Sequence, residues 1–205
     1  MKKTSALAVL EFADIPAGVW AVDGILKKAP IAFVRAGTIT RGRYLVLFGG
    51  STASTDESLR EALANCGDAI IDHTFLPDIH PALFDAVFGM KRRTAGGSLL
   101  IIETETAASI VRSVEAAMKG TPVELIEVRL SDLGLAGKGM ALMAGTLHDI
   151  NDAAELASAG VRTGAPPRGF SHRVIAAPHD VVERDITATT RFEDAPLLEL
   201  DGEIA

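Results

Sequence analysis

The chain has 205 residues, 48 % of them apolar and 5 % aromatic, and its 20 Lys and Arg against 27 Asp and Glu leave a net charge of −7. That length suits two domains of about 100 residues, each large enough to bury a core. The charge excludes a basic face for nucleic acid, no apolar run approaches the roughly 20 residues of a membrane span, and the single cysteine, Cys66, excludes an internal disulfide and reads as a small buried hydrophobe on a helix.

Taken in chain order, the apolar patterning predicts a strand at 6–12, a helix at 16–28, strands at 31–38 and 43–49, a helix at 55–66, a strand at 69–76 and a short helix at 80–87. The opening MKKTSALAVLEF is too short and too soon acidic for a signal peptide, so a cytoplasmic location is expected. Pro16 is tolerated near a first helical turn, Asp56 and Glu57 suit a helix N-terminus, and GGSTAST at 49–55 reads as a strand end leading into a helix cap. The polar, Gly-rich GMKRRTAGGS at 89–98 reads as a linker. The same order then recurs at 98–104, 108–120, 123–130, 138–145, 150–160, about 171–177 and a last helical turn.

The recurrence is positional. LAVLEFADIPAGVWAVDGILKKAP lies on LLIIETETAASIVRSVEAAMKGTP without a gap, at a constant shift of 92, so that Glu11 meets Glu103, Lys27 meets Lys119 and Pro30 meets Pro122. Val19, Val22 and Leu26 in one copy, and Val111, Val114 and Met118 in the other, repeat the spacing of a half-buried helix. The expected fold class is α+β: two tandem units of ferredoxin-like βαββαβ order, each a four-stranded antiparallel sheet with helices on one face. The expected domains are 5–88 and 98–184, joined by a linker at 89–97 and followed by an acidic tail at 185–205. Residues 1–97 carry a charge of +1 and residues 98–205 a charge of −8. In the tail, Leu197, Leu198 and Leu200 suit docking on a surface as well as they suit a mobile acidic segment. Two near-equal surfaces in one chain suit alternating places in a ring.

The copies differ in the hairpin between their second and third strands. RAGTITRGRYLVLFGG answers to VRLSDLGLAGKGMALMAG, and Gly50 pairs with Gly145 at a shift of 95, so the second loop is longer by three residues. A domain of this strand order that opens with ALAVLE, carries a helix ending in LKKAP and follows with a Gly-containing hairpin and LVLFGG resembles the bacterial microcompartment shell domain. Two copies in direct order resemble the tandem-domain branch of that family, whose members form trimers shaped as pseudohexagonal tiles.

The resemblance implies a structural shell protein with no catalytic turnover, a central pore for small metabolites and a place in a microcompartment shell. Its implied partners are two further copies of itself, neighbouring hexameric shell proteins and encapsulated enzymes. It places Lys27 and Lys119 along the tile edge, where an ammonium offers three donors to a neighbour's carbonyls. The family's Arg-Pro-His edge motif is met as Ala177-Pro178-His179 in the second copy and as Leu76-Pro77-Asp78 in the first, both without the arginine, which implies other shell proteins as neighbours. The hairpins answer to the pore loops: Thr38, Thr40, Arg41 and Gly42 from one copy, Ser131, Asp132, Leu133, Gly134 and Leu135 from the other. Three Arg41 side chains facing a channel favour anions, and three Asp132 oppose them. Some tandem members hold an iron-sulfur cluster through a cysteine in such a loop; neither loop here has one, and no cofactor is expected.

Other motifs fail on inspection. GLAGKGM at 134–140 lacks the spacing of a phosphate loop. Asp72, His73, Asp78 and His80 in DHTFLPDIHP suggest metal ligands, but alternation sets Asp72 and His73 on opposite faces of a strand and the second copy keeps no such set. No serine or cysteine stands beside a plausible base, so no catalytic residue is expected. The alternative reading is a tandem small-molecule-binding regulatory protein; an enzyme on a ferredoxin-like dimer ranks third, lacking an acid-base constellation.

Overall fold

The computed structural model describes residues 6–93, 96–161, 169–197, 200 and 202. The first half contains β1 (Ala6–Phe12), α1 (Ile15–Lys28), β2 (Phe33–Ile39), β3 (Arg43–Gly50), α2 (Thr52–Cys66), β4 (Ile70–Leu76) and α3 (Pro81–Val87). The second repeats the order with β5 (Ser98–Thr104), α4 (Ala107–Gly120), β6 (Glu124–Leu130), β7 (Gly139–Gly145), α5 (Leu147–Val161), β8 (Phe170–Ile175) and α6 (Asp180–Ala188). Each half forms one antiparallel sheet, in the orders β2-β3-β1-β4 and β6-β7-β5-β8.

Local chemistry starts the helices where they start. Asp14 caps α1 by accepting from the Ala17 amide at 2.9 Å, with Pro16 in the first turn, and Thr106 caps α4 by accepting from Ser109 at 3.1 Å. Ser51 caps α2, which begins at Thr52, a turn before the sequence predicted, so Asp56 and Glu57 fall in its second turn. α3 and α6 are both capped by a histidine Nδ1, His80 on the Ala82 amide and His179 on the Val181 amide, each at 3.2 Å. The expected tail boundary at 185 falls inside α6, which runs on to Ala188 as the counterpart of α3; the tail proper follows it.

In each sheet the two long helices cover one face. Ala8, Leu10, Phe12, Val46 and Phe48 pack against Ala21 and Ile25 of α1 and Leu59, Ala62 and Cys66 of α2. Cys66 is buried, as expected. The contact between first helix and third strand is built in opposite senses in the two halves. A Cβ on Gly18 of α1 would lie 2.4 Å from the Tyr44 ring of β3; in the second half the helix supplies Ile110 and the strand supplies Gly139, where a Cβ would lie 2.4 Å from the isoleucine. Large against small is conserved while the sides exchange, which keeps packing density without strain.

The opposite face of the first sheet, carrying Leu7, Val9, Leu45 and Leu47, joins α3 and the second domain in one continuous core. α4 lies across β4 and β1 of the first sheet as well as on its own sheet and α5, and is buried nearly all round. On the corresponding face of the second sheet Leu99 and Leu142 are buried and Ile101 and Met140 partly so, with Ile186 of α6 packed against them, while Ser171 and Arg173 of β8 are exposed. The stripe read as the core face of the first helix is therefore something else in this half. α1 buries Gly18, Ala21 and Ile25, while Val19 is 52 % and Leu26 53 % exposed; their counterparts Val111 and Met118 are buried against the first domain.

Candidate functional site: the domain seam and the paired hairpin loops

Two regions bring the expected site residues together. The first is the seam that α4 makes with β1 and β4. Glu11, fully buried, accepts twice: from the Arg43 guanidinium at 2.5 Å and from the Ala107 amide, at the start of α4, at 2.8 Å. Burial pushes its carboxyl above the usual carboxylate range, against the pull of the Ala107 amide and Arg43. Thr106 donates its hydroxyl to Asp72 at 2.5 Å, and Arg112 donates to the His73 carbonyl at 2.8 Å and the Thr74 hydroxyl at 2.6 Å, with Asp72 3.5 Å away. Farther along, the His80 amide donates to Glu115 at 3.0 Å, and Lys119 bonds both Glu115 and the Asp78 carbonyl.

Of the Asp72, His73, Asp78 and His80 group, the Asp72 carboxylate is spent on this seam and the His80 imidazole on capping α3, while His73 and Asp78 bring their backbone carbonyls. His73, exposed on β4, has its imidazole pKa lowered chiefly by desolvation, with Arg112 reinforcing and Asp72 opposing. Lys138, in the rejected phosphate-loop string, pairs with Glu103 at 2.9 Å in the place Arg43 holds towards Glu11.

Of the expected edge residues, Lys119 belongs to the outer end of this seam, still partly exposed, whereas Lys27 pairs with Asp23 of its own helix at 2.6 Å. The strand registers re-pair the remaining four. Leu7 lies opposite Leu76 and Leu99 opposite Ile175, a shift of 99, so Ala177-Pro178-His179 stands against Asp78-Ile79-His80 and not against Leu76-Pro77-Asp78. The helix-capping histidine is kept in both copies, and the motif's arginine position holds Asp78 in one and Ala177 in the other. Pro77 accepts from the Thr52 hydroxyl at 3.0 Å, and Asp78 exposes its side chain.

The second region is formed by the two hairpin loops, which lock into each other. Thr40 donates its hydroxyl to the Ser131 carbonyl at 2.8 Å and accepts from the Gly137 amide at 2.8 Å, and its own amide donates to Ser131 at 3.2 Å. Ser131 closes its loop by donating to the Gly137 carbonyl at 2.9 Å. Arg41 and Gly42 turn the first loop with φ of 67° and 68°, a conformation unusual for arginine that leaves Arg41 exposed with no hydrogen bond or ion pair of its side chain among the described residues. Thr38, Leu133 and Gly134 are exposed beside it and Leu135 is partly so.

Asp132 does not stand as a free negative charge. Arg129, its side chain 5 % exposed, chelates it at 2.7 and 3.0 Å and also donates to the Leu133 and Thr190 carbonyls, and Arg191 closes on its other oxygen. Sequence reasoning named Asp132 and missed both arginines: Arg191 lies 59 residues away in what reads as tail, with no periodicity to reveal it. The described tail residues Thr190 and Arg191 are thereby fastened to β6 and its loop, while Leu197 and Leu200 are exposed; Leu198 lies outside the described residues. An open groove of about 700 Å³ borders the loops, lined in part by Arg35, Thr38, Arg129 and Asp132.

The chain is thus a duplicated βαββαβ domain with unequal, interlocked hairpins and one helix face left open. Residues 6–79 match the BMC domain, and residues 98–188 repeat the same order of elements. It is similar to the bacterial microcompartment shell protein PduT of Citrobacter freundii, at 28 % identity over 185 residues that cover 89 % of this chain and 98 % of the relative. Among solved structures, a microcompartments protein of Desulfitobacterium hafniense DCB superposes with a TM-score of 0.74 at 25 % identity, covering 89 % of this chain and 99 % of that one. A double ringed trimeric shell protein from the RMM microcompartment shares the fold, with a TM-score of 0.55 at 17 % identity over 75 % of this chain and 81 % of its own. The loop cysteine that would hold an iron-sulfur cluster has no counterpart here: the sole cysteine is buried in α2 and neither hairpin carries a thiol, so these residues do not fit such a group.

Proposed function

We propose that three copies of this chain close into a pseudohexagonal tile of a microcompartment shell, in which alternating first and second hairpins ring a channel for small polar metabolites. The observation that carries this is the asymmetry of the two first helices. Val111 of α4 is 0 % exposed, within the core that both domains share, while Val19, at the equivalent place on α1, is 52 % exposed. The sheet face that would cover α1 of a neighbouring copy is the one around Ile101 and Met140, both partly buried. A head-to-tail contact of this kind closes a ring when the rotation between domains is near a sixth of a turn.

Wild-type protein is accordingly expected at about 65 kDa by light scattering, three chains of 21.5 kDa. Val19→Asp places a charge in the ring contact and is expected to give a folded monomer with an unchanged circular dichroism spectrum. A monomeric wild type, or an undisturbed Val19→Asp trimer, would overturn the reading.

Lys27 and Lys119 are the proposed edge contacts between tiles, both being near the outer ends of their helices and partly or largely exposed. Lys27→Ala combined with Lys119→Ala is expected to leave the trimer intact and to remove extended sheets in negative-stain micrographs; sheets of normal extent would refute that role. Bulk passage belongs to the channel, with exposed Arg41 as its charged constriction.

A further inference from the structure

We infer that the contact between copies is specified by two polar pairs across it, Asp14 with Ser171 and Trp20 with Arg173, which are the chemical inverse of the pairs inside the chain. The inference rests on the ring proposed above and names what fixes its order.

Inside the chain, two side chains at the start of α4 and along it meet two of β4. Thr106 donates to Asp72, and Arg112 lies against Asp72 and donates to Thr74. The shift of 92 carries Thr106 to Asp14 and Arg112 to Trp20, and the strand register of 99 carries Asp72 to Ser171 and Thr74 to Arg173. Cross-strand pairing of Ser171 with Glu103 and of Arg173 with Ile101 puts both side chains on the open face of the second sheet, as pairing with Glu11 and Val9 puts Asp72 and Thr74 on the covered face of the first. All four of these counterparts are exposed: Asp14 and Trp20 on α1, Ser171 and Arg173 on β8.

Laid together as the internal seam is laid, they fit with donor and acceptor exchanged. The hydroxyl that sat on the helix cap moves to the strand and the carboxylate moves to the cap, so Ser171 donates to Asp14. Asp14 keeps its second oxygen for the Ala17 amide. The guanidinium that sat on the helix also moves to the strand, and the helix offers an indole face in its stead, a cation-π partner. Lys27 and Asp23 stand where Lys119 donates to the Asp78 carbonyl and Glu115 accepts from the His80 amide, and by the register of 99 Ala177 and His179 carry the corresponding backbone groups.

The inversion also rejects wrong pairings. α1 laid on β4 of another copy would set Asp14 against Asp72; α4 laid on β8 would set Arg112 against Arg173. Like charges meet in both, so only alternation of first and second domains satisfies every group.

The test is a swap. Ser171→Asp sets two carboxylates together and is expected to raise the concentration at which the trimer dissociates by at least about tenfold in sedimentation velocity. Adding Asp14→Thr to Ser171→Asp recreates the Thr106 and Asp72 arrangement and is expected to restore assembly to within about threefold of wild type. Trp20→Ala is expected to weaken assembly, and Arg173→Ala to add little on top of it. Ser171 is exposed, so monomer melting should be unchanged. A wild-type trimer that Ser171→Asp leaves untouched, or a defect that Asp14→Thr does not repair, would overturn the pairing while leaving the ring standing; a monomeric wild type would instead remove the ring itself.

Discussion

Replacing Glu11 with alanine is expected to cost about 3–5 kcal/mol, the usual loss when one partner of a buried charge pair is removed. The carboxylate is fully buried and accepts from Arg43 and from the first amide of α4, so its loss strands a guanidinium and uncaps a helix that the first domain holds in place. Glu11→Gln keeps an acceptor for the Ala107 amide but gives up the charge, and a smaller loss of about 1–2 kcal/mol is expected. The pH dependence has a definite sign. Burial raises the Glu11 pKa in the folded chain above its ordinary 4.5, so the native state holds the proton more tightly than the unfolded one. That contribution is present in full below pH 4.5 and is lost as pH rises through the raised value. Wild type should therefore gain on Glu11→Gln as pH falls from neutral towards 4.5 in urea melts followed by circular dichroism. A gap that widens in the other direction would show that Arg43, and not burial, governs the site.

Why the halves of this chain were legible, and the seam only partly so, follows from which signals are local. Strand alternation, the shift of 92 and the Gly50 to Gly145 offset are carried by neighbouring residues, and they located two sheets, both helix pairs and the unequal hairpins. Periodicity reports that Val19, Val22 and Leu26 share an apolar face, but not what covers it. The same pattern serves as a buried face in α4 and an open one in α1, because burial there depends on a neighbouring domain. The edge motif was misaligned by the strings themselves: four extra residues between α5 and β8 shift the register to 99, and only strand pairing reveals it. Asp14 as a cap was in principle readable from its place two residues before Pro16, while Arg129 and Arg191 converge on Asp132 through tertiary structure alone.

Neutralising Asp132 is expected to change both stability and the charge of the proposed channel mouth, because its carboxylate is the shared counterion of two arginines. Arg129 is nearly buried, and Asp132→Ala leaves it with carbonyl partners only, a loss of about 3 kcal/mol or more. Asp132→Asn keeps much of the hydrogen bonding and should lose less, while still releasing a net positive charge per chain beside exposed Arg41. In the proposed trimer that is three added charges at one constriction, within reach of one another at low ionic strength. The reversal potential of the channel in a planar bilayer under a KCl gradient should move towards chloride in Asp132→Asn and away from it in Arg41→Ala, with the difference shrinking as salt is raised. Equal reversal potentials in both variants at low salt would place these loops away from the conduction path. A shift confined to Arg41→Ala would mean that the arginines follow Asp132 out of the channel mouth, leaving Arg41 as its sole charged residue from the first hairpin.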